Sequence, residues 1–445
     1  MTPSARIAAA ISLLAALEEQ CFAPAARRRP ADAVASDFFR ARRFIGGGDR
    51  REVSERAWDV VRQRLRLDWH LARLGVAPTP RLLLLAQMLL GRAEDHGRGR
   101  QAVEAVFDGS HYGPAALDAG ERRVAAALDG RPLIDPAMPD GPRLNLPDWV
   151  LPALSARFGP RLAEEAAALE TEAPLDLRVN LLKTDRATAA RTLAAEGVPT
   201  EPTPLSPWGL RLPSRRPVTG TAAYREGMIE VQDEGSQLIA LLAEAGPGMR
   251  VADYCAGAAG KTLAMAATMG NRGRITACDT SAPRLEGAAK RLRRAGVDNA
   301  ERHLLAPGDR WAKRRAGSFD RVLVDAPCTG TGTWRRNPDA RLRTRPEDLA
   351  ELVAVQDEIL ARASELVRPG GRLVYATCSL LPQENEEQMD RFLARAPGFV
   401  PVPLERLWTA LLPGVGVPCA GPWMSLSPGA NGTDGFFCAV LERVP

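Results

Sequence analysis

Two stretches of this 445-residue chain put a cysteine where its thiol could react, Asp325-Ala326-Pro327-Cys328 and Tyr375-Ala376-Thr377-Cys378-Ser379. Each closes a run rich in β-branched and apolar residues, at 320–325 and 372–377, so each reads as a strand that delivers a thiol at its carboxyl end. A buried cysteine is most often a small core hydrophobe, and Cys21, Cys278, Cys419 and Cys438 are read that way. Two strand-end thiols, one of them following an acid, point instead to nucleophilic or acid–base work. A third stretch, Asp253-Tyr254-Cys255-Ala256-Gly257-Ala258-Ala259-Gly260-Lys261-Thr262, ends a strand and opens a helix. Small residues let the backbone approach a ligand closely, and the helix start offers free amides. A nucleotide phosphate, an adenosylmethionine carboxylate or plain tight packing would suit such a loop. It is not a P-loop, which would need a glycine at Tyr254 or Cys255. Asp279 ends the next strand, where an acid can accept hydrogen bonds from ribose hydroxyls. Together, loop and acid favour a ribose-bearing cofactor over packing.

The elements that must position these residues alternate between strand and helix. From Gly248 onward, strands are expected at 250–255, 274–279, 301–305, 319–325, 372–379, 399–403 and 436–442, with helices at 263–269, 283–296, 346–367 and 384–394. This order is that of a doubly wound α/β sheet, which binds ligands where loops leave the carboxyl ends of its strands. Residues 1–135 read as helices only, at 6–19, 33–44, 51–74, 81–91, 101–107 and 115–128. A proline-rich joint leads to a small α+β segment, with a strand at 175–182 and helices at 156–169 and 187–196. Three domains are therefore expected: 1–135 all-helical, 145–235 α+β, and 236–445 α/β.

At the two thiols a resemblance becomes specific. Asp325-Ala326-Pro327-Cys328-Thr329-Gly330-Thr331-Gly332 with Arg335-Arg336-Asn337-Pro338, then Tyr375-Ala376-Thr377-Cys378-Ser379 and Glu384-Asn385-Glu386, resemble the two cysteine motifs of the RsmB-type (Nop/Sun) RNA 5-methylcytosine methyltransferases. Arg178-Val179-Asn180 with Lys183-Thr184, Val231-Gln232-Asp233-Glu234-Gly235-Ser236 and Asp434-Gly435-Phe436-Phe437 match as well. The resemblance covers roughly 145–443, and the helical N-terminus more loosely resembles a NusB-like RNA-binding domain. It implies a Rossmann-like S-adenosylmethionine methyltransferase domain, S-adenosylmethionine as cofactor and RNA, ribosomal or transfer, as partner. Cys378 would be the attacking thiol, Cys328 the releasing one, and Asp325 a hydrogen-bonding partner of the cytosine ring. The cofactor would be held by Cys255, Ala256, Gly257, Ala258, Ala259, Gly260, Lys261, Asp279, Arg284, Asp325 and, near the adenine, Asp309. RNA would meet Lys183, Arg335 and Arg336. The family's Ala-Pro-Gly-Gly-Lys stands here as Gly257-Ala258-Ala259-Gly260-Lys261, a change expected to be tolerated if Ala259 keeps a negative φ.

Composition sets the bounds. Fifty-nine Lys plus Arg against 54 Asp plus Glu give a formal charge of +5, and all but Lys183, Lys261, Lys290 and Lys313 are Arg. Between Arg27 and Arg66 twelve Arg face six acids, with Phe38, Phe39, Phe44 and Trp58 interleaved. That stretch is either a solvated face over an aromatic core or a surface for RNA. The five Arg in 335–345 are expected to line the rim of a base-sized cleft. Seven scattered cysteines without a C-x-x-C pair, and four His without ligand spacing, argue against a disulfide framework or a metal and for the reducing cytoplasm. The apolar runs at 7–17 and 82–90 are too short to span a bilayer, and the first is read as a helix although Ala23-Pro24-Ala25 after it imitates a cleavage site. A monomer is expected. Two other readings stay open: an RNA-holding assembly factor with a degenerate methyltransferase fold, and a methyltransferase acting on an exocyclic nitrogen. The second would call for Pro-Pro and an aromatic residue where Ala326-Pro327-Cys328 stand.

Overall fold

The computed structural model describes residues 1–22, 28–91, 99–214, 216–419 and 421–444. Ala23-Pro24-Ala25 and Arg27 therefore lie outside the described residues. By contact the chain forms two compact units, Met1–Glu170 with Arg336–Arg345, and Thr171–Arg335 with Pro346–Pro445. The first takes in the helix Leu151–Phe158, which the sequence reading groups with the α+β segment, and a ten-residue excursion from the α/β region.

The first unit is helical, with a lone bridge between Gly91 and Pro132 among its described residues. Thr2 caps the helix Pro3–Cys21 and Thr79 caps Pro80–Leu89, each with a proline in the first turn. Asp118 and Glu121 form a capping box on Ala119–Leu128. Their apolar faces meet in one core, with Leu13, Leu17, Val53, Leu71, Leu84 and Ala125 fully buried. The helix expected at 51–74 is two, Gly47–Arg62 and Arg64–Arg73, broken where Gln63 leaves helical geometry. The helix expected to reach Phe44 ends at Ala41.

The second unit contains two sheets. β1 (Leu175–Val179), β2 (Glu201–Pro202), β3 (Gly209–Leu212) and β4 (Ile229–Val231) form an antiparallel sheet in the order 2-3-1-4. The larger sheet comprises β5 (Arg250–Asp253), β6 (Arg274–Asp279), β7 (Ala300–Leu304), β8 (Phe319–Asp325), β9 (Val367–Thr377), β10 (Phe399–Pro401), β11 (Met424–Leu426) and β12 (Phe436–Arg443). Its order is 10-12-9-8-5-6-7, with β11 also paired to β12. Strands 9-8-5-6-7 run parallel, and the antiparallel β12 closes the side beyond β9. Chain order reverses between β5 and β8, so the carboxyl ends of these two strands flank a topological switch point. Val251, Val322, Leu323, Val374 and Tyr375 are fully buried because helices cover both sheet faces. No helix among the described residues is long and apolar enough to cross a membrane.

Candidate active site

β8 and β9 are adjacent parallel strands in the register Asp325 to Ala376. The ladder's last bond runs from Ala326 N to Ala376 O, 2.8 Å, and Pro327, lacking an N–H, cannot extend it. The two chains then turn together, which brings Cys328 Sγ to 3.4 Å from Cys378 Sγ. Both sulfurs are half-buried. On the same strand end, Asp325 Oδ2 accepts a 2.6 Å ion-paired hydrogen bond from Lys261 Nζ. The Asp325 side chain remains 35% exposed, whereas that of Lys261 is buried. Burial pulls the Lys261 ammonium down, but Asp325 more than offsets it and the net shift is upward. The hydrogen bond to the Cys378 sulfur, with burial and the Glu384 carboxylate, pushes the Cys328 thiol well above its ordinary range.

A buried carboxylate organises the turn after Cys328. Glu384, fully enclosed, accepts hydrogen bonds from Thr329 N (2.9 Å), the Thr329 hydroxyl and Gln356 Nε2 (3.0 Å). Gln356 Nε2 also donates to Pro327 O, 2.9 Å, so both residues flanking Cys328 are tied down. On the Cys378 side, Asn385 Nδ2 donates to Ser379 O, and Thr331 Oγ1 accepts from Leu380 N. Gly332 N donates to Cys378 O while Gly332 O accepts from Gly435 N, at 3.0 and 2.8 Å. A side chain at Gly332 would lie 2.2 Å from Gly435 O, so this contact requires glycine. Gln356 does not stand out in the sequence, and Glu384 and Gly435, although they lie in stretches that match the family, carry no role there. Their role comes from tertiary contact.

The loop between β5 and the helix Gly260–Thr268 lies at the neighbouring strand end. Gly257 N donates to Asp279 Oδ2, and Ser281 N to Asp279 Oδ1, each at 2.8 Å. Arg291 holds Ala258 O and Arg178 holds Gly260 O, each at 2.7 Å. Arg178, on β1, is buried, which lowers it to about 10, and the motif Arg178-Val179-Asn180 thereby braces the loop from the other sheet. Gly257 has φ +54 with open space around it. Ala259 has φ +63, contrary to the negative value on which tolerance of that change rests. Left-handed geometry at a non-glycine residue costs about 1–2 kcal/mol, and Ala259 retains it while its methyl is fully enclosed. Asp253 is buried with Oδ2 bonded to Thr262 Oγ1 at 2.6 Å and Oδ1 without a partner. Burial pushes its carboxyl up to about 7. The amides at a helix start and a strand-end Asp279 match a ligand with a carboxylate and ribose hydroxyls.

The remaining expected residues divide. Cys255 is half-buried in the loop, Ala256 is buried, and Arg284 is exposed in the first turn of Ala282–Ala295. Asp309 accepts from His303 Nε2 (2.5 Å) and Trp311 N (2.8 Å), so its carboxylate caps a local turn. Lys183 Nζ is exposed and donates to Glu226 O. Arg335 corrects the expected phosphate-holding rim. It is 4% exposed, donates to Asp434 Oδ1 at 2.5 Å and lies 3.8 Å from Asp233, so its charge neutralises two acids inside the fold. Arg341 is likewise buried and donates to Leu169 O, Arg343 pairs with Asp339, and Arg336 is half-buried with its own partner. Cys21, Cys278 and Cys438 are buried core thiols, and all seven cysteines are free. No group of three or more metal-ligating side chains occurs among the described residues.

Residues 240–442 match a family described as 16S rRNA methyltransferase RsmB/F, and residues 146–219 match an RsmF/B-like ferredoxin-like domain. The chain is 32% identical over 413 residues to a probable ribosomal RNA small subunit methyltransferase B of Synechocystis sp., covering 89% of this chain and 91% of that protein. The solved structure of PH0851 superimposes with a TM-score of 0.76 at 23% identity, covering 100% of this chain and 99% of the other, a likeness of fold. A methyltransferase homolog from Pyrococcus horikoshii shares 28% identity at a TM-score of 0.60, over 70% of this chain and 100% of that one.

Proposed function

This chain belongs to the RsmB/F family of 16S rRNA methyltransferases, and on that premise we propose that it methylates carbon 5 of a cytosine in ribosomal RNA through a covalent bond between Cys378 and carbon 6 of the base. As a member it is an S-adenosylmethionine-dependent RNA methyltransferase, and that cofactor, when bound, supplies the methyl group as an electrophile. Asp279 and the amides at the start of Gly260–Thr268 are the groups that would hold it.

The pair of strand-end sulfurs 3.4 Å apart carries the reading. Carbon 5 of cytosine is a weak nucleophile until a thiolate adds to carbon 6 and pushes an electron pair through the ring toward nitrogen 3. Nitrogen 3 takes a proton from solvent as the electrons arrive, and the Asp325 carboxylate, held by Lys261, can accept the hydrogen bond of that N3–H and favour it. Nitrogen 3 gives the proton back when the thiol leaves. The thiols stand in unlike fields, with the Lys261 cation acting on Cys378 and the Glu384 carboxylate on Cys328. Cys328, its thiol held well above the ordinary range, keeps its proton while the two sulfurs face each other. The family resemblance assigns the attack to Cys378, and a Cys328 that keeps its proton is consistent with that assignment. Once that sulfur is bonded to carbon 6, it accepts the hydrogen bond poorly, and the largest influence raising Cys328 is removed. Cys328 can then release its proton to solvent and take the proton from the methylated carbon 5. The carbon 6–sulfur bond breaks, and Cys378 leaves as the thiolate.

The test is incubation with labelled S-adenosylmethionine and unmodified 16S rRNA. Label is expected on cytosine carbon 5, with transfer abolished in Cys378→Ala and a covalent protein–RNA species accumulating on denaturing gels in Cys328→Ala. Undiminished transfer by Cys378→Ala would sink the reading. A wild type that binds the cofactor yet methylates no RNA would favour the assembly-factor alternative.

A further inference from the structure

The arginine-rich stretch of the helical unit resolves into two parts. Phe38 and Phe39 are 5% and 6% exposed and pack edge to face, 5.3 Å between centroids, as core. Phe44 is 75% exposed, in the turn between Ala31–Ala41 and Gly47–Arg62. Gly46, Gly47 and Gly48 follow it, and a Cβ at any of them would meet nothing within 4 Å. With Ile45 buried, the turn exposes an apolar ring between Arg43 and three glycines.

Its charge is uncompensated. Asp49 is taken by the Met1 ammonium (2.9 Å) and Arg6 (2.7 Å), and Glu52 by Arg6 (2.5 Å) and Arg56 (3.0 Å). Asp37 is taken by Arg29 and Arg40. Arg42 packs over Phe38 at 3.9 Å and Arg50 over Phe39 at 4.7 Å, so rings rather than carboxylates hold them. Arg43 and Arg51 are exposed, with no carboxylate partner among the described residues.

We propose that this turn is a docking site for an unpaired segment of RNA, with a base stacked on Phe44 and neighbouring phosphates on Arg43 and Arg51. Protein interfaces concentrate contiguous apolar surface and deplete charge at their centre. A lone exposed ring among unpaired guanidinium groups fits a polyanion whose monomers each present a π face. The proposal rests on RNA being this enzyme's substrate and adds where, away from the thiols, the chain grips it.

The test uses the full-length protein and a fluorescein-labelled twelve-nucleotide oligouridylate, titrated across a series of salt concentrations. Phe44→Ala is expected to bind about tenfold more weakly with an unchanged salt slope, the loss of one stacked base. Arg43→Ala with Arg51→Ala is expected to flatten the slope of log K against log salt by about 0.7 for each phosphate no longer neutralised. Tyr112, the other strongly exposed aromatic of this unit at 74%, serves as control, and Tyr112→Ala should bind as the wild type does. Phe44→Ala within twofold of wild type, or an equal loss in Tyr112→Ala, overturns the proposal. Methyl transfer to 16S rRNA is followed on the same wild-type preparation. If the wild type transfers methyl while Phe44→Ala binds normally, the docking site alone falls. If the wild type transfers none, the catalytic reading falls and the affinity series still decides the docking site.

Discussion

Cys328 and Cys378 are identical groups in unlike surroundings, and the difference between them is electrostatic. Spacing and strand pattern were enough to bring both thiols to neighbouring strand ends. They were not enough to divide the roles, which come from the family resemblance, while the surroundings that raise the Cys328 thiol include Glu384, a charge supplied by another segment. Asp253 offers a separate test at this scale. Its carboxyl lies at about 7 when folded against 3.8 ordinarily, so the folded chain holds the proton more tightly than the unfolded chain. The associated stability is fully present below about pH 4 and is lost as pH rises through 7. Asp253→Asn should lose less stability than the wild type between pH 5 and pH 8. The difference over that range is at most about 3 kcal/mol, measured by urea unfolding without cofactor. Parallel pH profiles for the two proteins would contradict the burial argument. Ala259 shows where sequence reasoning stops, since nothing in Gly257-Ala258-Ala259-Gly260 announces that the second alanine adopts the left-handed conformation.

At the scale of elements, the sheet was legible because its strands are buried on both faces and stand out as apolar runs. β6 and β8 fall at the expected residues, whereas β11, three residues long, carries too little pattern to be noticed. The turns after β8 and β9 depend on groups that local pattern does not reveal. Glu384, in a polar run, looks like helix surface, yet it is enclosed because the Thr329 turn folds onto it. Glu384→Gln should free that turn and lower turnover about a hundredfold, the scale of an ångström-sized misplacement, while cofactor affinity stays near wild type. Single-turnover kinetics with parallel cofactor titration checks this, and unchanged turnover would show that Cys328 needs no such support. Gly332→Ala drives a methyl into the Gly435 backbone and should cost about 1–3 kcal/mol, read as a lower urea midpoint at unchanged slope. Of the 335–345 arginines, Arg335 and Arg341 were misjudged for the same physical reason, being buried, whereas Arg345 is exposed. Composition does not distinguish a guanidinium that faces solvent from one that neutralises Asp233 and Asp434 inside the fold.

For the whole molecule, the change of periodicity near Gly248 marks where the larger sheet begins, whereas the two compact units divide between Glu170 and Thr171, inside the segment read as one α+β domain. The assignment of Arg336–Arg345 to the helical unit was not readable, because a ten-residue excursion leaves no periodic trace. The small sheet also does more than its sequence position suggests. Arg178 on β1 and Glu230 on β4, through Arg291, reach the loop that would hold the cofactor. The proposed reaction turns on one bond, that between Cys378 and cytosine. The direct measurement is mass spectrometry of peptides from the wild type incubated with S-adenosylmethionine and 16S rRNA containing 5-fluorocytidine, whose fluorine replaces the proton Cys328 must remove. The account predicts a nucleotide adduct on the Cys378 peptide, absent in Cys378→Ser. An adduct on the Cys328 peptide, with Cys378 unmodified, would contradict it.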